Sequence, residues 1–131
     1  MNKSAEDYIK TIYLLKERQG CVRSVDIARE MSFSKASVSI AMSNLRKNNI
    51  IRMKENGEIE LTPEGLKKAG EICEKHSTLS IFLKTVANVD EKTAKEDAHR
   101  IGYYLSPSTY AGIKKYIQSL QRKGVIRNEL E

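Results

Sequence analysis

The sequence is poor in the residues that mark several large classes of protein. Its 131 residues include two cysteines and two prolines, and no tract is rich in glycine, serine and proline. Cys21 and Cys73 lack the close spacing of a metal-binding pair, so we expect two reduced thiols. With 40% hydrophobic residues, the chain is expected to fold rather than stay disordered.

Long hydrophobic runs are also missing, so we expect no membrane-spanning segment and no membrane partner. The first ten residues, MNKSAEDYIK, contain no apolar stretch of the kind found in a signal peptide, which predicts a cytoplasmic protein. The sequence has no glycine-rich phosphate loop, no metal-hydrolase signature and no recognisable nucleophile and base motif. We therefore predict that it is not an enzyme.

What the sequence has in excess is positive charge. Lysine and arginine number 23 against 17 acidic residues, giving a net charge of +6 and a pI near 9.3. This favours a polyanionic partner such as nucleic acid, although a merely soluble basic protein would have the same charge. The length is that of one domain, or of one small domain with an appendage.

The stretch from Ser24 to Asn48 predicts two helices joined by a tight turn. In the first, Ser24 is the candidate N-cap, and Ile27, Ala28 and Met31 form a short apolar stripe. The second is expected to begin after Ser34 as N-cap. Its apolar positions recur at helical spacing and predict one buried face; they are Val38, Ala41, Met42 and Leu45.

The other face of this second helix carries hydroxyls and cations without any carboxylate. Short hydroxyls can reach base edges in a DNA major groove, and cations can meet phosphates. A basic helix facing solvent is the alternative. The candidate DNA-binding residues are Ser34, Lys35, Ser37, Ser39, Ser43, Arg46 and Lys47, with Lys54 from the following segment.

That following segment predicts a β-hairpin. Two strand-like runs, residues 50–54 and 58–61, flank Asn56-Gly57, which is a strong hairpin signal. A helix, a turn, a basic-faced helix and a hairpin follow one another in the order of a winged helix. The fold class is therefore predicted to be mainly α with a small hairpin.

Helices account for the rest of the chain. We expect the first to be capped by Ser4, and later ones to start after Thr62, Asp90 and Ser106. Their predicted ends are near Gly20, Val86, Tyr104 and Arg122. We assign residues 1–70 to a winged helix-turn-helix domain and residues 71–131 to a helical domain. The latter has too few helices to enclose a core, which predicts a homodimer in which Ile113 and Ile117 are interface candidates.

Several stretches together resemble the manganese- and iron-responsive repressors of the diphtheria toxin repressor type. They are AEDYIKTIYLL, VRSVDIAREMSFSKASVSIAMSNLRKNNII, ELTPEGLKKA and EKHSTLSIFLKTVANVDEKTAKEDAHRIGYYLSP. The similarity covers about residues 5–120 and implies the short subtype without a third domain. It implies a dimeric repressor that binds an operator in double-stranded DNA.

The resemblance also implies a metal site at six positions. They are Asp7, Lys10, His76, His99, Gly102 and Tyr103. A lysine ammonium repels cations, glycine has no side chain, and a neutral phenol binds divalent metals poorly. Asp7, His76 and His99 thus remain as the candidate ligands.

The family uses manganese or iron, whereas one carboxylate and two imidazoles suit zinc, iron or cobalt better than manganese. Histidines satisfied at an interface are the alternative for His76 and His99. The leading hypothesis is a sequence-specific transcriptional regulator, most simply a repressor. The alternatives are the same fold with a metal-independent or different switch, and a protein-protein adaptor that has lost DNA binding.

Overall fold

The computed structural model describes residues 3–126, apart from the side chain of Lys3. The chain divides into two compact units, Met1–Ile72 and Cys73–Glu131. Among the described residues, no helix has both the length and the apolar content to cross a membrane.

Over residues 3–126 the chain forms six α-helices and one two-stranded antiparallel hairpin, which confirms the predicted fold class. In chain order the elements are α1 Lys3–Gln19, α2 Ser24–Met31, α3 Lys35–Lys47, β1 Ile51–Met53, β2 Ile59–Leu61, α4 Pro63–Phe82, a π-helical turn Leu83–Ala87, α5 Glu91–Ile101 and α6 Pro107–Arg122.

Four of the predicted helix starts are confirmed by cap hydrogen bonds. The side chains of Ser34, Thr62, Asp90 and Ser106 each accept a hydrogen bond from the backbone N–H three residues later. Such a bond satisfies one of the donors that a helix leaves unpaired at its N-terminus. The starts of these four helices are therefore determined by the local sequence.

Two predicted caps are wrong. Helix α1 already includes Lys3, so Ser4 lies inside its first turn. Helix α2 has Arg23 as its N-cap instead of Ser24. The Asp26 carboxylate accepts a hydrogen bond of 2.9 Å from the Arg23 backbone N–H, and this bond fixes the helix start one residue earlier.

The core of the first unit is built from α1, α2, α3, the hairpin and the start of α4. Its largest fully buried side chains are Ile9, Ile12, Val22, Ile27, Val38, Met42, Ile51 and Ile59. In the hairpin, Ile51 pairs with Leu61 and Met53 with Ile59, and Gly57 supplies the positive φ of the turn at +86°. The backbone N–H of Ile59 also donates to the Val22 carbonyl at 2.7 Å, which ties the hairpin to the start of the helix-turn-helix.

The junction between the hairpin and α4 depends on a close backbone approach at Gly65. The Thr62 hydroxyl donates to the carbonyl oxygens of Asn49 and Ile50, at 2.7 and 3.1 Å, and accepts from the Gly65 N–H at 3.0 Å. A Cβ at position 65 would overlap the Ile50 carbonyl oxygen. Only glycine allows the first turn of α4 to lie so close to the backbone of Ile50, directly before β1.

In the second unit, α6 is attached to α4 through charged and aromatic side chains. Lys114 forms an ion pair with Glu74, and the Lys75 ammonium lies 5.8 Å from the centre of the Tyr110 ring. Ile117 is fully buried within the single chain, so its assignment to the dimer interface is wrong. Ile113, one turn earlier, is only half-buried.

The winding of α4 changes at Leu83–Ala87, where it becomes a π-helical turn that ends at Asn88 with a φ of 54°. Helix α5 packs against this turn and ends at Ile101, three residues before its predicted end. Within residues 3–126, neither Cys21 nor Cys73 takes part in a disulfide bond.

Candidate nucleic-acid interface and histidine cluster

Helix α3 is held firmly by its inner face and by its cap. Val38, Met42 and Leu45 are buried in the first unit. At the N-terminus the Ser34 hydroxyl accepts from the Ser37 N–H at 3.1 Å and donates to the Ser37 hydroxyl at 2.9 Å. The direction of the outward face is therefore fixed before any partner binds.

The predicted DNA-binding residues of this helix mostly face solvent. Ser34, Lys35, Ser37, Ser39, Arg46 and Lys47 are exposed, and Ser43 is half-buried. Helix α3 contains no acidic residue. The two cations of its last turn also complement the negative end of the helix dipole. A cationic, hydroxyl-bearing and rigid helix face is thus available to a polyanion.

Sequence reasoning missed the centre of this outward face. Residues of an α-helix are spaced about 100° apart, so the position opposite Val38 is shared by residues two before and two after it. Those residues are Ala36 and Ile40, both exposed, and Ile40 keeps 66% of its surface in solvent. The helical period itself was the signal that could have identified them.

The hairpin neutralises its own lysine. Lys54 Nζ lies 3.0 Å from a Glu60 carboxylate oxygen and 3.4 Å from a Glu58 oxygen, and Lys16 approaches Glu58 at 3.7 Å. The hydrogen bond to Glu60 and the charge of Glu58 raise the pKa of Lys54, while the same hydrogen bond holds the pKa of Glu60 below its usual range. The ammonium of Lys54 is therefore already matched by carboxylates.

In the second unit, two helices and the turn after α5 bring the chain's two histidines together. The rings of His76 on α4 and His99 on α5 have centroids 5.0 Å apart and meet edge to face. The Tyr103 ring lies 5.1 Å from that of His99 and 6.4 Å from that of His76. The Tyr103 hydroxyl is 2.9 Å from His99 Nε2, and His76 is buried.

Gly102 lies beside the same cluster. A Cβ at this position would be 3.4 Å from His76 Cδ2 and 3.6 Å from its Nε2, but also 3.1 Å from the Ala98 carbonyl oxygen. A side chain at 102 would therefore start next to the His76 imidazole. Positions 76, 99, 102 and 103 converge, although two of them carry no ordinary metal ligand.

The donors of this cluster do not fit manganese. Within the described part of the chain, no three side chains of the His, Cys, Asp and Glu types form a group able to hold a metal ion. Manganese is held by about six oxygen and nitrogen donors, mostly oxygens. Two imidazoles suit a borderline metal better. Asp7, the third predicted ligand, lies on α1 in the first unit.

Comparison with known families gives two matches that together span nearly the whole chain. Residues 1–58 match the N-terminal DNA-binding domain of iron-dependent repressors. Residues 62–125 match the metal-binding and dimerisation domain of the same repressors.

Similar proteins include transcriptional regulators of archaea and bacteria. An uncharacterised HTH-type transcriptional regulator of Methanocaldococcus jannaschii is 29% identical over 124 residues, covering 94% of this chain and 99% of that protein. The HTH-type transcriptional regulator MntR of Lysinibacillus sphaericus is 30% identical over 128 residues, covering 98% of this chain and 91% of MntR.

Solved structures show the same fold. The IdeR protein of T. acidophilum superposes with a TM-score of 0.75 at 25% identity, covering 86% of this chain and 53% of that one. The manganese regulator SloR superposes with a TM-score of 0.74 at 27% identity, covering 89% and 54%. The chain thus spans about half the length of these two structures.

Proposed function

The chain belongs to the iron-dependent repressor family and is a DNA-binding transcriptional regulator, and from this premise we propose that it binds an operator as a homodimer, with α3 of each copy in a major groove. The observation that carries the proposal is the outward face of α3, which is rigidly held, bears cations and hydroxyls, and has no carboxylate. A carboxylate there would be repelled by phosphates.

The exposed residues have distinct roles in this proposal. Lys35, Arg46 and Lys47 meet phosphates and fix the position of the helix, whereas Ser39 and Ser43 reach base edges. Ser34 and Ser37 mainly cap the helix, since their hydroxyls bond to each other. Lys54 contributes less than the lysines of α3 because it is paired with Glu58 and Glu60.

Selection of binding sites from random duplexes, followed by footprinting, tests the geometry. A symmetric dimer should protect two half-sites whose centres lie about 10 base pairs, or a multiple of that, apart. Protection of a single half-site, or selection of no sequence at all, would contradict the proposal. As a regulator that acts on DNA, the protein is proposed to work in the cytoplasm.

We place the dimer contact on residues 71–131, because the matched family domain there is a dimerisation domain. Helix α6 carries a partly exposed apolar stripe of Ile113, Tyr116 and Leu120 beside the buried Ile117. An apolar stripe of this kind is most simply buried against a second copy.

Charging this stripe should separate the subunits while leaving each chain folded. Tyr116→Glu is the preferred change, since Tyr116 is 49% exposed and its replacement leaves no internal cavity. In a dimer it would bury an unpaired charge, which costs several kcal/mol by order of magnitude. Light scattering at micromolar concentration should show monomers, with exposed Gln118→Glu on the same helix as control. A Tyr116→Glu protein that stays dimeric would refute the placement.

The effector is proposed to be one divalent metal of the borderline class, such as zinc, ferrous iron or cobalt. What supports this is the pair of adjacent imidazoles of His76 and His99 in a region that matches the family's metal-binding domain. When bound, the metal would supply a cation that stabilises the DNA-binding state by mass action.

A metal-independent switch is the second candidate, and one contact favours it. The Tyr103 hydroxyl lies within hydrogen-bond distance of His99 Nε2, one of the two ring nitrogens through which this histidine could bind a metal. Calorimetry with zinc, cobalt and manganese, together with operator binding with and without a chelator, separates the two. Binding of zinc or cobalt that is abolished in His76→Ala and His99→Ala supports the metal. Operator binding that is unaffected by chelator supports the alternative.

A further inference from the structure

Among the described residues of the first unit, the most exposed large apolar side chain lies in the middle of the surface proposed to enter DNA. Ile40 on α3 keeps 66% of its surface in solvent, more than Leu14, Phe33 or Leu66. It lies about 200° around the helix from the buried Val38, and exposed Ala36 lies one turn before it. The centre of the outward face of α3 is therefore apolar.

A single exposed isoleucine is ordinary on a protein surface. The setting of Ile40 is not ordinary, because its neighbours three and four positions away include the polar residues Ser37, Ser43 and Asn44, on a helix without carboxylates. Isoleucine has no donor or acceptor, so it gains nothing from base edges that offer only nitrogen, oxygen or amino groups. The one apolar group that B-DNA presents in its major groove is the 5-methyl group of thymine.

We propose that Ile40, supported by Ala36, determines specificity by packing on the 5-methyl group of a thymine in each half-site. The proposal rests on the placement of α3 in the major groove argued above. Ile40 is rigidly presented, since Val38 and Met42 on either side of it along the helix are buried and the Ser34 cap fixes the helix start. Shortening Ile40 should also relax the base preference at that position.

The recognition is chemically narrow and makes a direct prediction about modified bases. Uracil differs from thymine only in lacking the methyl group, and 5-methylcytosine places a methyl group at the same point of the major groove. Without the burial of this one methyl group, binding should be weaker by roughly threefold to fivefold. A T·A to C·G change should be partly rescued when the cytosine carries a 5-methyl group.

The test uses the full-length protein and a duplex selected by it from random sequence, in which each dT is replaced in turn by dU. For the unmodified protein, one dU in each half-site removes two methyl contacts from the dimer and should weaken binding by roughly ninefold to 25-fold. For Ile40→Ala the same replacement should have no further effect, because the partner of the methyl group is already gone. Leu14→Ala, which removes a half-exposed leucine from α1, serves as the control and should keep full sensitivity to dU.

Any other result contradicts the proposal, and the pattern of results shows which part of it is wrong. If the protein selects a sequence but no dU weakens its binding, or if Ile40→Ala is as sensitive as the parent, methyl recognition by Ile40 is wrong and groove binding stands. If no sequence is selected at all, both the groove placement and the methyl contact are wrong. The circular dichroism spectrum of the Ile40→Ala protein should match that of the parent, since this side chain contributes little to the core.

Discussion

Replacing Gly65 by alanine should destabilise the protein more than any other change of one methyl group in α4. The new Cβ would overlap the Ile50 carbonyl oxygen and would lie 3.2 Å from both the Ile50 carbonyl carbon and Leu61 Cδ2. Since the obstacle is backbone, the start of α4 must move away. Overpacking of this kind typically costs about 1–3 kcal/mol.

The displacement would also stretch the hydrogen bonds that close the junction. Thr62 donates through its hydroxyl to Asn49 and through its N–H to Ile50, and the Gly65 N–H donates back to Thr62. Each such bond contributes about 1 kcal/mol net. With two of them weakened, we expect the free energy of unfolding to fall by roughly 2–5 kcal/mol.

Urea denaturation monitored by circular dichroism at fixed protein concentration measures this difference. Gly70→Ala is the matched control, since Gly70 lies in the same helix and a Cβ there meets nothing within 4 Å. That change should stabilise the protein by about 0.5–1 kcal/mol through helix propensity. If the Gly65→Ala protein were as stable as the Gly70→Ala protein, the account of a close backbone contact between Gly65 and Ile50 would be wrong.

Two further predictions concern charge and metal. Glu60→Gln should strengthen DNA binding and steepen its salt dependence, because Lys54 loses a carboxylate partner and becomes more available to phosphate. Fluorescence anisotropy measures both effects. Unchanged binding would mean that the hairpin lies away from the duplex. A variant with Lys10→Glu, Gly102→Glu and Tyr103→His restores the ligand pattern implied by the family resemblance, so calorimetry should show manganese binding much tighter than in the parent. Tight manganese binding by the unmodified chain would show that other residues supply ligands.

The features that depend on short-range hydrogen bonds were predictable from the sequence. A serine, threonine or aspartate that bonds to the N–H three residues later marks a helix start, as Ser34 and Asp90 do. The cap at Ser24 failed because Asp26 reaches back to the Arg23 N–H, so two local candidates competed. The periodicity of α3 identified its buried face correctly for the same local reason.

Features that depend on packing between distant segments were not predictable. Apolar spacing alone does not tell which face of α6 packs within its own chain, and Ile117 was therefore assigned to the wrong surface. The close approach at Gly65 depends on a carbonyl 15 positions earlier in the chain. The proximity of His76 to His99 followed only from the family resemblance, because they lie on different helices.

The salt dependence of binding to a selected operator tests most directly whether the α3 surface contacts DNA. Lys35→Gln, Arg46→Gln and Lys47→Gln combined remove six cations from the dimer, so they should reduce the slope of log affinity against log salt concentration by up to about 5.4, roughly 0.9 for each phosphate that is no longer neutralised. As a control, Lys92→Gln and Lys123→Gln, at exposed lysines of the second unit, should leave this slope unchanged. A triple variant with the affinity and slope of the parent at every salt concentration would contradict the placement of α3 on DNA.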